Sequence, residues 1–187
     1  MKNPFKKFTW LNEPGFWKEE AGDLIIKSDE KTDFWRKTHY GFTRDSGHFF
    51  YRKVKGDFAV KVKVTGNYTD LYDQAGLMIR QDENNWIKTG IEWVDGVQQV
   101  SAVVTRDFSD WSVRPWPENP ASIWLKVNRK GDFVEVQYAK EDRDFQLLRL
   151  AYFPPSDEVQ IGIMAAAPDG AGFVAKFSDF ALEKIAV

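Results

Sequence analysis

The chain has 187 residues, 43% of them hydrophobic and none of them cysteine, and 26 basic against 28 acidic residues leave a formal net charge of −2. Such a length suits one domain, residues 1–187, with a core that needs no covalent staples. The lack of cysteine excludes disulfides and thiolate metal sites, and the balanced charge offers no broad field for nucleic acid or an anionic membrane.

Residues 1–10 carry positive charge but no apolar run of signal-peptide length, and no later segment approaches a membrane span. The expected setting is therefore soluble and cytoplasmic, in a compartment that need not be oxidising. Eight Trp, six Tyr and fifteen Phe exceed what a core of this size requires, so some rings are available to a ligand.

Alternating, β-branched or aromatic runs predict strands over 24–28 and 58–65. Between them, residues 32–42 read as a loop that gathers Asp33, Trp35, Arg36, His39 and Tyr40. Phe34, Trp35 and Phe42 could equally plug one end of a sandwich, with His39 no more than a satisfied polar group. His48 in the following Ser46–Phe50 stretch carries a weaker signal still.

The next predicted strands, 71–81, 86–94 and 97–106, hold the strongest pattern. One parity carries Gln74, Met78, Arg80, Trp86, Lys88 and Glu92, and the other carries Ala75, Leu77, Ile79, Ile87, Thr89, Ile91 and Trp93. The second set is the face a sheet buries against another layer. Asp95-Gly96 suits a two-residue turn with positive φ at both positions, which sets Glu92 opposite Gln99, Gly90 opposite Ser101 and Lys88 opposite Val103. Matching faces across the preceding turn leave Arg80 beside Lys88 or Trp86, and Glu92 beside Gly76 or Gln74. Residues 103–112 then bring Asp110 and Trp111 to the mouth of the polar face. Further strands are expected over 123–129, 133–139, 147–152, 159–166 and 173–182, which makes the chain all-β.

The polar face, with two cations, a carboxylate and amides around Gly76 and Gly90, would suit a hydroxyl-rich or carboxylated ligand, the glycines leaving room above it. A solvated outer face laced by ion pairs accounts for the same pattern. Catalysis finds less support. A glycosidase ordinarily needs two flanking carboxylates, and the same-face neighbours of Glu92 along its strand are Gly90 and Val94. Asp73, Asp82 or Asp110 could approach from a loop. There is no nucleophile elbow or phosphate loop, two histidines are too few for a metal site, and no loop has the acidic spacing of a calcium motif. No metal or cofactor is expected.

Several collinear segments resemble the regulation-of-enolase-like family of uncharacterised domains, which has the concanavalin A-like lectin/glucanase fold. They are Phe8-Thr-Trp10 with Trp17, Thr32-Asp-Phe-Trp35 with His39-Tyr-Gly41, and Tyr72 through Met78 with Arg80. Trp86 through Glu92, Val100 through Thr105 with Ser109-Asp-Trp-Ser112, and Gly162 through Pro168 complete the set. The resemblance implies a two-sheet antiparallel jelly-roll sandwich with Gln74, Arg80, Lys88 and Glu92 on the floor of a concave groove. In lectins and glucanases of this fold that groove holds sugar. The glucanases' run of acids is absent around Glu92, which favours saccharide binding over hydrolysis.

The expected partner is thus a saccharide or related polar small molecule. Trp35, Trp86 and Trp111 would stack on it, Gln74, Arg80, Lys88, Glu92 and His39 would hydrogen-bond it, and Asp110 would stand at the mouth. The alternatives are a glycan-active enzyme, with Glu92 as acid or base and His39 or an incoming Asp as partner, and a protein-interaction module.

Overall fold

The computed structural model describes residues 3–185, so the outermost residues of the expected 1–187 domain lie outside the description. Its strands begin with β1 (Thr9–Leu11), β2 (Phe16–Glu20), β3 (Asp23–Lys27), β4 (Phe34–Arg36), β5 (Thr43–Asp45) and β6 (His48–Lys55). They continue with β7 (Phe58–Gly66), β8 (Gln74–Arg80), β9 (Asn85–Val94), β10 (Val97–Arg106) and β11 (Phe108–Trp116). The remainder are β12 (Ile123–Lys130), β13 (Phe133–Ala139), β14 (Gln146–Tyr152), β15 (Glu158–Ala166) and β16 (Val174–Lys184).

Two seven-stranded antiparallel sheets form a jelly-roll sandwich, ordered β1-β6-β15-β8-β9-β10-β11 and β14-β13-β12-β7-β16-β3-β2. A separate hairpin pairs β4 with β5. No helix among the described residues is long and apolar enough to cross a membrane.

The layers adhere because alternation gives each sheet one apolar face. On β7, Val60, Val62 and Val64 point inward while the intervening lysines are only partly covered. Across the sandwich they meet Ala75, Leu77, Ile79, Ile87, Ile91 and Val100, all in one continuous core. Each fully buried aliphatic or Phe side chain there stabilises by about 1.5–3 kcal/mol relative to exposure.

The turn after β9 forms as its sequence dictates, with Asp95 at φ 52° and Gly96 at φ 80°. It sets Glu92 opposite Gln99, Gly90 opposite Ser101 and Lys88 opposite Val103. Of the two registers left open for the preceding turn, the structure has Arg80 beside Trp86 and Gln74 beside Glu92. The strand expected from residue 71 starts only at Gln74, because the Asp73 carboxylate accepts hydrogen bonds from the Thr69 and Asp70 amides, both at 2.9 Å, and closes a turn.

The expected role of Gly76 and Gly90 needs correction. They face each other across β8 and β9, and a Cβ on Gly76 would lie 1.9 Å from the Thr89 carbonyl oxygen. The glycines admit a close approach of two backbones rather than a ligand above the sheet.

Candidate functional site

The β8–β10 face opposite the core is covered differently at its two ends. Over one end lies the β4–β5 hairpin, whose Phe34 packs against Trp86 with ring centroids 6.1 Å apart. Phe49, Met78, Val103 and Met164 complete this second buried cluster. The hairpin is tied down by Asn12, which donates to the carbonyls of Asp45 at 2.7 Å and Gly47 at 2.9 Å. His48 braces the same corner. Its Nε2 accepts from the Asp29 amide at 2.9 Å and its Nδ1 lies 2.7 Å from the Asn12 carbonyl, the geometry of an Nδ1–H tautomer with a structural role.

Arg80 belongs to this closed end. It makes a two-pronged pair with Asp45 of β5, at 2.6 and 2.8 Å. The expectation that Arg80 hydrogen-bonds a ligand and that Trp86 stacks on one is therefore corrected: both lie on the predicted face, but the hairpin buries them. Trp86 has no exposed surface, and its indole N–H donates to the Glu83 carbonyl.

The other end opens into a cavity of about 260 Å³. Lys88, buried on its floor, places Nζ 2.5 Å from Oε1 of Gln74, 3.5 Å from Oδ1 of Asp33 and 3.8 Å from Oε1 of Glu92. One ammonium thus stands between two carboxylates, each farther than an optimal hydrogen bond. The second carboxylate comes from the segment leading into β4, not from Asp73, Asp82 or Asp110. Asp73 closes its own turn, Asp82 caps the turn before β9, and Asp110 faces Arg149 at 3.5 Å.

Burial pushes the Glu92 carboxyl above its ordinary value of 4.5, and the nearby Asp33 charge pushes the same way. The Lys88 charge and hydrogen bonding from Ser101 and Trp111 oppose this without cancelling it.

Aromatic rings frame the mouth. Trp35 meets Tyr40 edge-on at 5.7 Å, Tyr40 stacks on Phe42 at 5.3 Å, and Tyr72 meets Trp111 edge-on at 6.3 Å. Hydrogen bonding with Tyr40, and then burial, raises the Tyr72 phenol to about 12. Arg44 lies over the Phe42 ring at 4.2 Å, and Pro168 with Asp169 forms the remaining wall. Two indoles are held in place: Trp35 donates to the Thr38 carbonyl at 2.9 Å and Trp111 to the Ser101 hydroxyl at 3.1 Å.

Of the residues singled out from sequence, the cavity brings together Trp35, Gln74, Lys88, Glu92 and Trp111. His39 and Asp110 line an adjoining, shallower depression. From the sequence, Arg44 and Asp169 carried no signal, Phe42 was expected only as an end plug, Tyr72 only as part of the family resemblance, and Asp33 and Tyr40 only as members of a loop. A usable signal was present there: with Phe34–Arg36 extended, Asp33 and Trp35 share a parity that Phe34 opposes.

The chain is 44% identical over 174 residues to Regulation of enolase protein 1 of Saccharomyces cerevisiae, covering 93% of this chain and 88% of that protein. A crystal structure of a functionally unknown protein from Saccharomyces cerevisiae superposes with a TM-score of 0.94 at 42% identity, over 98% of this chain and 99% of that one. The fold is also shared with GH43B of a Bacteroides ovatus xyloglucan locus, at a TM-score of 0.72 and 18% identity, over 97% of this chain and 37% of that one. Carbohydrate binding module CBM66 from Bacillus subtilis matches at a TM-score of 0.60 and 17% identity, over 95% and 96% of the two chains. Residues 10–185 match the family described as Protein of unknown function (DUF1349), and the chain belongs to that family.

Proposed function

We propose that the chain acts as a single carbohydrate-binding domain whose cavity on the β8–β10 face takes one sugar ring or a polyol of similar size. The observation that carries this reading is the pairing of a polar floor with an aromatic mouth. Lys88 donates, Asp33 and Glu92 keep acceptor capacity for hydroxyls, and the rings of Trp35, Tyr72 and Trp111 offer apolar faces. The floor sets one ammonium against two carboxylates, which suits a neutral hydroxyl-rich guest better than an anionic one. At about 260 Å³ the cavity falls below the usual range of about 300–1,000 Å³ for drug-sized ligands. The shared fold with CBM66 supports the reading by analogy. The cysteine-free composition suits a cytoplasmic setting.

The test is calorimetric titration with methyl glycosides of glucose, galactose, mannose, xylose and fructose. At least one should bind with a Kd in about the millimolar range or tighter, and Lys88→Met should remove that binding. A panel without heat or tryptophan fluorescence change would overturn the proposal.

One observation favours a second reading, a glycan-active enzyme. Glu92, whose pKa is raised, and Asp33 are two carboxylates in one cavity, the residue types a glycosidase uses as acid and base. Turnover of a matched disaccharide, abolished by Glu92→Gln while binding survives, would select it. Binding without turnover in the unaltered protein would exclude it for that sugar.

A further inference from the structure

The cavity does not end at its mouth. An adjoining depression of about 660 Å³ shares Trp35, Tyr40 and Trp111 with it, so the same three rings wall both spaces. This second space is a shelf along the start of β11. Phe108 stands 58% exposed there, Trp111 39% and Tyr40 47%. Polar groups stand among these rings: His39 from the β4–β5 turn, Arg106 from the end of β10 and Asp110 from β11.

Building on the saccharide reading, we propose that the ligand is the end of an oligosaccharide. Its terminal residue enters the cavity and its penultimate residue lies on the shelf, against Trp111 and Phe108.

Three observations carry this. First, at about 260 Å³ the cavity is too small for two rings, and its floor is the sheet itself, so a ring that enters it has the sheet beneath it and no room for a second ring beside it. Second, the shelf begins at the same indoles that bound the cavity, and those indoles are fixed by hydrogen bonds to Thr38 and Ser101. A ligand meeting them does not have to order them, which lowers the entropy cost of a second contact. Third, the shelf repeats the cavity's chemistry in a weaker, wetter form. Exposed ring faces stand beside a histidine, a guanidinium and a carboxylate, the set that contacts a sugar unit partly left in water.

The geometry of the turn supports a role for His39. Lys37, His39 and Gly41 have φ of 59°, 63° and 74°, and the tip is closed by the Lys37 amide to the Phe42 carbonyl and the Gly41 amide to the Lys37 carbonyl, both at 2.7 Å. The His39 ring is held edge-on to Tyr40 at 4.7 Å, directed over the shelf rather than into the cavity.

The experiment compares each methyl glycoside of the panel above with the homodisaccharide and homotrisaccharide of the same sugar, by calorimetry, in the full chain. For the sugar that binds, the disaccharide should bind about tenfold tighter than the methyl glycoside, and the trisaccharide should gain no more than about twofold further. A double substitution confined to the shelf, His39→Asn with Phe108→Ala, should erase the disaccharide gain and leave methyl glycoside affinity unchanged. Asn is chosen because it tolerates the left-handed backbone at that position. A disaccharide that binds no tighter than its methyl glycoside overturns this inference while leaving the cavity reading intact. So does a gain that keeps growing with length, or a double variant that weakens the methyl glycoside equally. If no saccharide binds, both readings fall together.

Discussion

At one end of the β8–β10 face Trp86, Met78 and Val103 close into an apolar cluster beneath Phe34, whereas at the other end Gln74, Lys88 and Glu92 floor an open cavity. The two ends share strands, parity and even residue types. What separates them is the short β4–β5 hairpin, whose alternation sends Phe34 to the closed end and Asp33 with Trp35 to the open one. Each end also buries a cation, and the two cations are treated differently. Arg80 is held by a close two-pronged carboxylate at 2.6 and 2.8 Å. Lys88 has one short contact with Gln74 and two longer ones with carboxylates at 3.5 and 3.8 Å. A pair like Arg80–Asp45 has its strongest acceptors committed, while Asp33 and Glu92 retain lone pairs for an incoming hydroxyl. Parity thus decides the side of a sheet, and the covering element decides whether a side chain there is core or site.

The contrast breaks most visibly at Trp86. Trp86→Ala should destabilise the protein by about 3–5 kcal/mol, the usual cost of emptying a large aromatic site in a packed cluster. Urea denaturation followed by circular dichroism measures it. A loss below about 1 kcal/mol would mean that the hairpin is not seated on the sheet and that Trp86 is exposed as the sequence pattern first suggested.

That misreading shows what was legible. The face carrying residues 74, 80, 88 and 92 and the register of β9 with β10 were readable, because a period of two and an Asp-Gly turn are local signals. The strands expected over 123–129 and 133–139 form as β12 and β13, since their alternation is a local signal of the same kind. β6 was not readable, since His48, Phe49 and Phe50 are buried in succession, so the strand shows no alternation. β11 was missed for the opposite cause: an edge strand that is mostly exposed, with Pro115 near its end, lacks an apolar face. The hairpin that decides the site was read as loop because each of its strands has only three residues. Asp33 therefore could not be connected to Glu92, which lies 59 positions later in the sequence and meets it only through Lys88.

A smaller effect is expected at the closed end's ion pair. Asp45→Asn removes the charge opposite Arg80 while keeping size, and should cost about 1–3 kcal/mol because a buried guanidinium loses its ionic acceptor. The lower part of that range applies, since the Asp45 side chain is 34% exposed and water screens the loss. The same denaturation experiment reads it. Saccharide affinity should stay unchanged, and a parallel loss of binding would show that the two ends are coupled through the hairpin.

The smallest effect is expected at Glu92 and appears as a pH dependence. Burial, reinforced by Asp33, holds the folded-state pKa above the unfolded value of 4.5, so the folded protein binds this proton more tightly than the unfolded chain does. The resulting stability is complete below pH 4.5 and is lost as pH rises through the folded-state pKa. Glu92→Gln removes that titration and leaves the others common to both proteins. The stability of the variant relative to the unaltered protein should therefore rise with pH above about 4.5 and level off once Glu92 is ionised. Paired urea titrations from acid to neutral pH measure the difference. A flat difference would mean that water reaches Glu92 freely, and a difference of opposite sign would mean that Lys88 stabilises the carboxylate more than burial penalises it. In either case the floor of the open end would be a solvated ion pair like those on any surface, without the desolvated acceptor that a bound hydroxyl would complete.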